Sequence, residues 1–188
     1  MQDDLFGDTL PKPPPAEAEA SAPASPLVPG TDAPRRRSRS GTVAPIAPDD
    51  ALTALAAALP PRLRLGTSSW TYPGWKGLVW EGEHSDTQLS KQGLAVYAQH
   101  PLMRTVSIDR SFYRPLTVSQ YERYASQVPD YFRFVVKAHS VVTDALVRSE
   151  DGRGRQPNPA FLSPELARSE CVEPALKGLG HKLGALVF

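Results

Sequence analysis

The chain predicts an α/β fold built on a parallel sheet, and three observations carry that prediction. Short apolar runs alternate with amphipathic segments in the order β-α-β-α-β-α-β. The amphipathic segments begin with helix-start chemistry: Thr117-Val-Ser-Gln120 is a capping box, and Ser163-Pro164-Glu165 sets serine at the N-cap with proline behind it. Strands separated by helices return in the same direction through right-handed crossovers. The pattern leaves both a doubly wound sheet and a barrel open.

The elements follow in order. Eleven of the twenty prolines lie in residues 1–60, interleaved with Ala, Glu and Ser. Such a stretch buries too little apolar surface to offset the entropy of ordering it, so residues 1–48 read as a disordered leader and 49–188 as the folded part. Asp49-Asp50 then opens a short alanine-rich helix that Pro60-Pro61 stops. It is expected at the bottom of the fold. A strand is predicted at Leu63–Thr67, a helix at Gln88–His100 and a strand at Arg104–Asp109. Next come a helix from Thr117 to about Val128, with Val118, Tyr121, Tyr124, Ala125 and Val128 as its apolar stripe, and a strand at Phe132–Lys137. A polar loop through Gly152, Gly154, Pro157 and Pro159 leads to the helix opened by Ser163. Pro174 should kink or divide that helix, and Leu183–Phe188 is the fourth strand.

Composition narrows the function. A net charge of +1 gives no global electrostatic argument for nucleic acid or an anionic membrane, although Arg35-Arg36-Arg37-Ser38-Arg39 could touch phosphates; the plainer reading is a solvated linker patch. One cysteine, Cys171, rules out an intrachain disulfide framework and fits a reducing compartment. The acidic start Met1-Gln-Asp-Asp-Leu-Phe6 has no secretory pattern, and no apolar run reaches the ~18 residues of a membrane span, which points to the cytoplasm. His84, His100, His139 and Cys171 show no metal-ligand spacing, and neither a Gly-x-Gly-x-x-Gly nor a P-loop occurs, so no metal or cofactor is expected.

Four segments in order resemble the DUF72 (YecE-like) family: Gly66-Thr-Ser-Ser-Trp-Thr-Tyr-Pro-Gly-Trp-Lys-Gly77, Thr105-Val-Ser-Ile-Asp-Arg-Ser-Phe-Tyr-Arg114, Val128-Pro-Asp-Tyr-Phe-Arg-Phe-Val-Val-Lys-Ala138, and Phe161-Leu with Leu179-Gly-His-Lys-Leu-Gly-Ala-Leu-Val-Phe188. The resemblance covers about residues 62–188. It implies a fold similar to TIM barrels and brings no established activity with it. Many relatives carry an acidic residue where this chain has Ser107, and asparagine at Asp109. A full (β/α)₈ barrel needs about 250 residues, so the resemblance implies the N-terminal half of a barrel, truncated after the fourth strand. Such a half would expose sheet edges and interior faces, and it is expected to be poorly soluble or to pair with a second half.

In a barrel, sites form at the C-terminal ends of the strands, which selects three clusters. In the first, Thr67, Ser68 and Ser69 offer hydroxyls and backbone N–H groups to an oxyanion, while Trp70, Tyr72 and Trp75 could stack on a sugar or base; alternatively Trp70 and Trp75 plug the barrel top. In the second, Asp109 is a candidate base or ligand anchor, Tyr113 a hydrogen-bond or proton donor, and Arg110 and Arg114 candidate clamps for a carboxylate or phosphate. An Asp–Arg pair that merely pins the loop is the alternative. In the third, Lys137 inside an apolar strand suits a base or Schiff-base amine if buried, and His139 is the best acid/base group by intrinsic pKa. A salt bridge from Lys137 to Asp109 is the alternative for the lysine.

One motif lies outside the barrel. Gln2-Asp3-Asp4-Leu5-Phe6 resembles the peptide with which bacterial replication and repair proteins dock on the sliding clamp, with Gln2, Leu5 and Phe6 as the pocket-filling residues. The sequence therefore carries three readings. The first is a barrel enzyme doing acid/base or amine chemistry on a small polar, sugar- or phosphate-bearing substrate. The second is an adaptor linked to DNA processing through the clamp-type peptide, and the third is an inactive truncated remnant.

Overall fold

The computed structural model describes residues 41–148 and 155–188. The clamp-type peptide at residues 2–6, the arginine run at 35–39 and the Gly152–Gly154 part of the polar loop lie outside them.

Folding of the described part starts earlier than composition suggests. Residues 41–48, assigned by composition to the leader, lie along the segment at Val79–Glu81. Ile46 N–H donates to Val79 O at 3.2 Å and Glu81 N–H to Ala44 O at 2.9 Å. Val43 is buried in the main apolar cluster. Two consecutive backbone bonds and one buried valine are enough to hold a proline-containing strand-like segment that no local periodicity announces.

Helix α1 (Asp50–Ala58) is capped by Asp49, whose carboxylate accepts from Leu52 N–H at 2.7 Å. It meets the N-terminal end of the sheet through Arg104, which reaches Ala56 O at 3.4 Å. The sheet is β1 (Leu65–Thr67), β2 (Met103–Ile108), β3 (Arg133–Lys137) and β6 (Leu183–Val187). Between them lie α2 (Asp86–Tyr97), α3 (Arg110–Tyr113), α4 (Val118–Ala125), α5 (Ser140–Thr143), β4 (Leu146–Arg148), β5 (Arg155–Pro157), α6 (Pro164–Leu166) and α7 (Glu173–Leu179).

Spatial order follows chain order, β1-β2-β3-β6, and all three pairings are parallel. A doubly wound sheet reverses its strand order at a switch point. This one does not, so it is singly wound, like half of a TIM barrel. The crossover helices gather on one side. Val106, Ile108, Phe134 and Val136 are buried there with Leu89, Leu94 and Tyr97 of α2, Tyr121 of α4, and Ala175 and Leu179 of α7. Residues of opposite parity, Thr105, Ser107, Val135, Lys137, Ala185 and Val187, lie on the other face, and none of them is buried. That face is the one a closed barrel would turn inward.

Two close approaches lock this packing. A Cβ on Gly66 would sit 2.0 Å from Thr105 O, so β1 lies against β2 only because residue 66 has no side chain. A Cβ on Gly178 would meet Tyr121 Cβ at 2.5 Å and Val118 O at 2.6 Å, which fixes α7 against α4. The capping box of α4 is complete: Gln120 N–H donates to Thr117 Oγ1, and Thr117 N–H to Gln120 Oε1.

The polar loop after β3 is more structured than its composition predicts. It holds α5 and an antiparallel hairpin of β4 and β5. Buried Asn158 pins it, donating through Nδ2 to Val141 O at 2.7 Å and to Asp144 O at 2.8 Å. The helix after Ser163 is divided, as Pro174 requires. Its middle, Ala167–Val172, is a π turn in which Glu173 N–H reaches Arg168 O.

Candidate functional site

The site is best built from β2 and β3, whose last residues stand side by side. Ile108 is in register with Val136, so Asp109 and Lys137 follow on adjacent strands and on the same, uncovered face. Lys137 Nζ lies 3.2 Å from Asp109 Oδ1, and Ser107 Oγ donates to the same oxygen at 2.6 Å. The strand ends are tied together from behind by buried Ser111, whose Oγ lies 2.7 Å from Ile108 O and 2.6 Å from Lys137 O. Two adjacent carbonyls sharing one buried hydroxyl hold the two strand ends together, which sets the backbone positions from which the carboxylate and the longer lysine stem project.

Two expectations change here. Lys137 is not a desolvated amine: its side chain is 46 % exposed, because it is the last residue of β3 and leaves the apolar part of the strand. The loop-pinning partner of Asp109 is Lys137, and neither Arg110 nor Arg114 forms an ion pair among the described residues.

A cleft of about 220 Å³ opens beside Asp109, lined by Ser68, Ser107, Asp109 and Arg110, with Trp70 and Tyr124 among its walls. A second, of about 360 Å³, lies over the first βα loop and includes Thr67, Ser68, Tyr72 and Trp75. Most of the hydroxyls expected to bind a ligand are already engaged. Thr67 Oγ1 donates to Ser69 O at 2.7 Å, and Ser69 Oγ accepts from Thr71 N–H at 3.2 Å. Thr67 N–H donates to Tyr97 OH at 3.0 Å, and Tyr97 OH donates on to Thr105 O at 3.1 Å. Burial holds the Tyr97 phenol above its usual pKa range, so it stays a neutral donor in this chain of bonds. Ser68 is exposed and engaged in no such bond among the described residues, which leaves it as the loop's available hydroxyl.

The aromatic residues divide. Trp70 is buried and packs edge-on against Tyr124 with centroids 5.3 Å apart; Trp75 sits between Trp80 at 5.6 Å and Tyr97 at 5.9 Å. Both pack into the main apolar cluster between the sheet and its helices. Trp70 Nε1 and Trp80 Nε1 have no acceptor among the described residues. Tyr72 is 59 % exposed and Tyr113 77 % exposed, so these two rings are the accessible ones. Arg114 is exposed as well, beyond the end of α3.

His139 does not join Asp109 and Lys137. Its Nδ1 accepts from Val141 N–H at 3.0 Å, and its backbone N–H points to Cys171 Sγ at 3.4 Å. In the neutral ring this leaves the proton on Nε2. It lines a separate cleft of about 720 Å³ with Ser140, Thr143, Asp144, Leu146 and Arg155. Burial raises the pKa of the Cys171 thiol, the reverse of what a reactive thiolate requires. Among the described residues no three of His, Cys, Asp and Glu come together to hold a metal ion, and no helix is long and apolar enough to cross a membrane.

Sequence reasoning missed residues that line the mouth from the helices. Ser90 and Tyr124 border the Asp109 cleft, and Lys91, Gln120 and Arg123 line a groove continuous with it. Ser90, Lys91 and Arg123 read locally as the solvent face of a helix, and the signals that Gln120 and Tyr124 do carry, a capping box and an apolar stripe, speak of helix formation and packing rather than of a site. Ser111 was legible only as a loop residue.

A singly wound parallel sheet, helices on one side and polar side chains at the carboxyl ends of β1 to β3, defines an α/β protein built from parallel β/α units. Residues 64–188 match the model of the family described as "Protein of unknown function DUF72", and the chain belongs to that family. It is also similar to the solved structure of a DUF72 family protein from Enterococcus faecalis, with 20% sequence identity and a TM-score of 0.40, over 65% of this chain and 38% of that one. The chain therefore spans well under half the length of that relative. No curated protein shows significant similarity to it.

Proposed function

We propose that the mouth at β1 to β3 binds a small polar ligand, and that Asp109 acts on it as a base or anchor with Lys137 beside it. One observation carries the reading. The carboxylate and the ammonium stand 3.2 Å apart on the uncovered face, at the C-terminal ends of neighbouring strands, next to a cleft bordered by Ser68 and Arg110. A carboxylate that shares one oxygen between Ser107 and Lys137 keeps its other oxygen for a ligand proton. The exposed amine of Lys137 can neutralise an oxyanion or a developing alkoxide without the desolvation that a buried lysine would need. Tyr72 and Ser68 supply an accessible ring and hydroxyl at the rim. A sugar or sugar phosphate fits these groups in chemical type.

The test uses the full chain and ligand-observed NMR against a panel of neutral sugars and sugar phosphates. Saturation transfer to at least one compound, lost in both Asp109→Asn and Lys137→Met while the fold is kept, is the expected result. Binding that survives both substitutions would reject this site. A separate reading concerns the clamp-type peptide. Its support is the Gln2/Leu5/Phe6 spacing, and a peptide of residues 1–10 that fails to bind a bacterial sliding clamp at high micromolar concentration would remove it.

A further inference from the structure

Beside the Asp109 cleft runs a groove of about 790 Å³ between α2 and α4. Lys91 from α2, Arg110 from the start of α3 and Arg123 from α4 converge on it, against one carboxylate, Asp86. None of the three cations belongs to an ion pair among the described residues, where the pairs are Lys76–Glu83, Lys137–Asp109, Arg168–Glu173, Lys177–Glu173, His181–Asp130 and Lys182–Asp130. Three separate elements thus line one concavity with like charges, a setting complementary to an anion.

The neutral groups in the groove are of matching kind. Ser90 is an exposed hydroxyl one turn along α2 from Asp86, and it lines the groove together with Lys91. Gln120 spends its side-chain carbonyl on the capping box, accepting from Thr117 N–H at 2.9 Å, so what it has left to offer is its NH₂ donor. Arg110, Ser90, Thr71 and Tyr124 border both this groove and the Asp109 cleft, so the two spaces are continuous.

We propose that this groove is a binding site for a phosphate group, and that it holds the phosphorylated end of a small ligand whose other end reaches Asp109. Three cations against one carboxylate leave a surplus of two positive charges, the complement of a phosphomonoester dianion. Arginine on two sides suits the planar, two-pronged recognition that phosphate oxygens favour. A small ligand is preferred over a polynucleotide because the cations meet in one concavity rather than along a track, and the chain as a whole carries only +1. The assignment of the ligand's second end rests on the function proposed above; the phosphate site itself does not.

The experiment is calorimetric titration of the full chain with inorganic phosphate, with glucose 6-phosphate and with a twelve-nucleotide single strand, all at matched ionic strength set with chloride. The variants are Lys91→Gln/Arg123→Gln, the charge-keeping Lys91→Arg/Arg123→Lys, and Asp109→Asn. The substituted positions are exposed or half-buried, and circular dichroism with thermal unfolding checks each fold. Phosphate should bind the wild type and weaken at least about tenfold in the glutamine pair, where two charge-assisted contacts are lost. It should be largely retained in the charge-keeping pair and unaffected by Asp109→Asn. Glucose 6-phosphate should lose affinity in both the glutamine pair and Asp109→Asn. If only its response to Asp109→Asn is missing, the mouth reading fails and the phosphate site stands. No heat with phosphate beyond that of chloride, equal binding by the glutamine pair, or far tighter binding of the oligonucleotide than of the sugar phosphate would each overturn the proposal.

Discussion

The Asp109–Lys137 pair makes a prediction that can be worked through from the geometry. At 3.2 Å, two unit charges attract by about 1.3 kcal/mol at the dielectric constant of water and about 5 kcal/mol at the effective value of about 20 found near protein surfaces. The side chains are 46 % and 35 % exposed, so screening and the ordering of a long lysine stem remove most of that. What should remain is a coupling of about 0.2–1 kcal/mol, the range of solvent-exposed pairs. The cycle compares wild type, Asp109→Asn, Lys137→Met and the double variant by urea unfolding at neutral pH, first in low salt and then at about 0.5 M, where the coupling should shrink further. The pair is then free to serve a ligand at little cost to the fold. A coupling above about 2 kcal/mol that persists in high salt would mean a scaffold ion pair, as buried pairs behave, and would refute the idea that this carboxylate is available for chemistry.

Two other outcomes follow from the packing. Gly178→Ala should lose about 1–2 kcal/mol in urea unfolding despite the better helix propensity of alanine, because the added carbon meets Tyr121 Cβ and Val118 O at 2.5 and 2.6 Å; equal or greater stability would show that α4 and α7 separate easily. Burial depresses the pKa of His100, so the unfolded chain takes up its proton first as pH falls below about 6.5. Stability should therefore be fully present above that value and decline as pH drops through it, and His100→Gln should flatten the wild-type decline in Tm between pH 7 and 5.

Much of the fold is legible in the sequence because its signals are local. Thr117 and Gln120 cap α4 as their spacing announces, and the runs around Val106, Phe134 and Leu183 become neighbouring parallel strands. The hairpin of β4 and β5 escapes because it is three residues a side and includes Arg148, Arg155, Gln156 and Pro157, types that say loop when read singly. The site is half legible for the same reason. Asp109 and Lys137 can be placed at strand ends from alternation alone. That Thr67 and Ser69 spend their hydroxyl groups within their own loop, that His139 turns toward Val141, and that Lys91 and Arg123 line one groove are facts of tertiary structure. No spacing rule encodes them.

The π turn before Pro174 has a further consequence, one of phase. An α-helix turns about 100° with each residue, and a wide turn admits one residue that the regular spiral would not. Cys171, Ala175, Gly178 and Leu179 are all buried, but they serve two different apolar clusters, Cys171 beside Ala138 and Val142, Ala175 and Leu179 beneath the sheet. The angle between those two duties is set by the residues between Cys171 and Ala175, a span that starts in the π turn at Val172. A substitution in that span changes a contact, whereas a deletion would rotate Cys171, with the backing it gives Ala138 and Val142, relative to the part of the helix beneath the sheet.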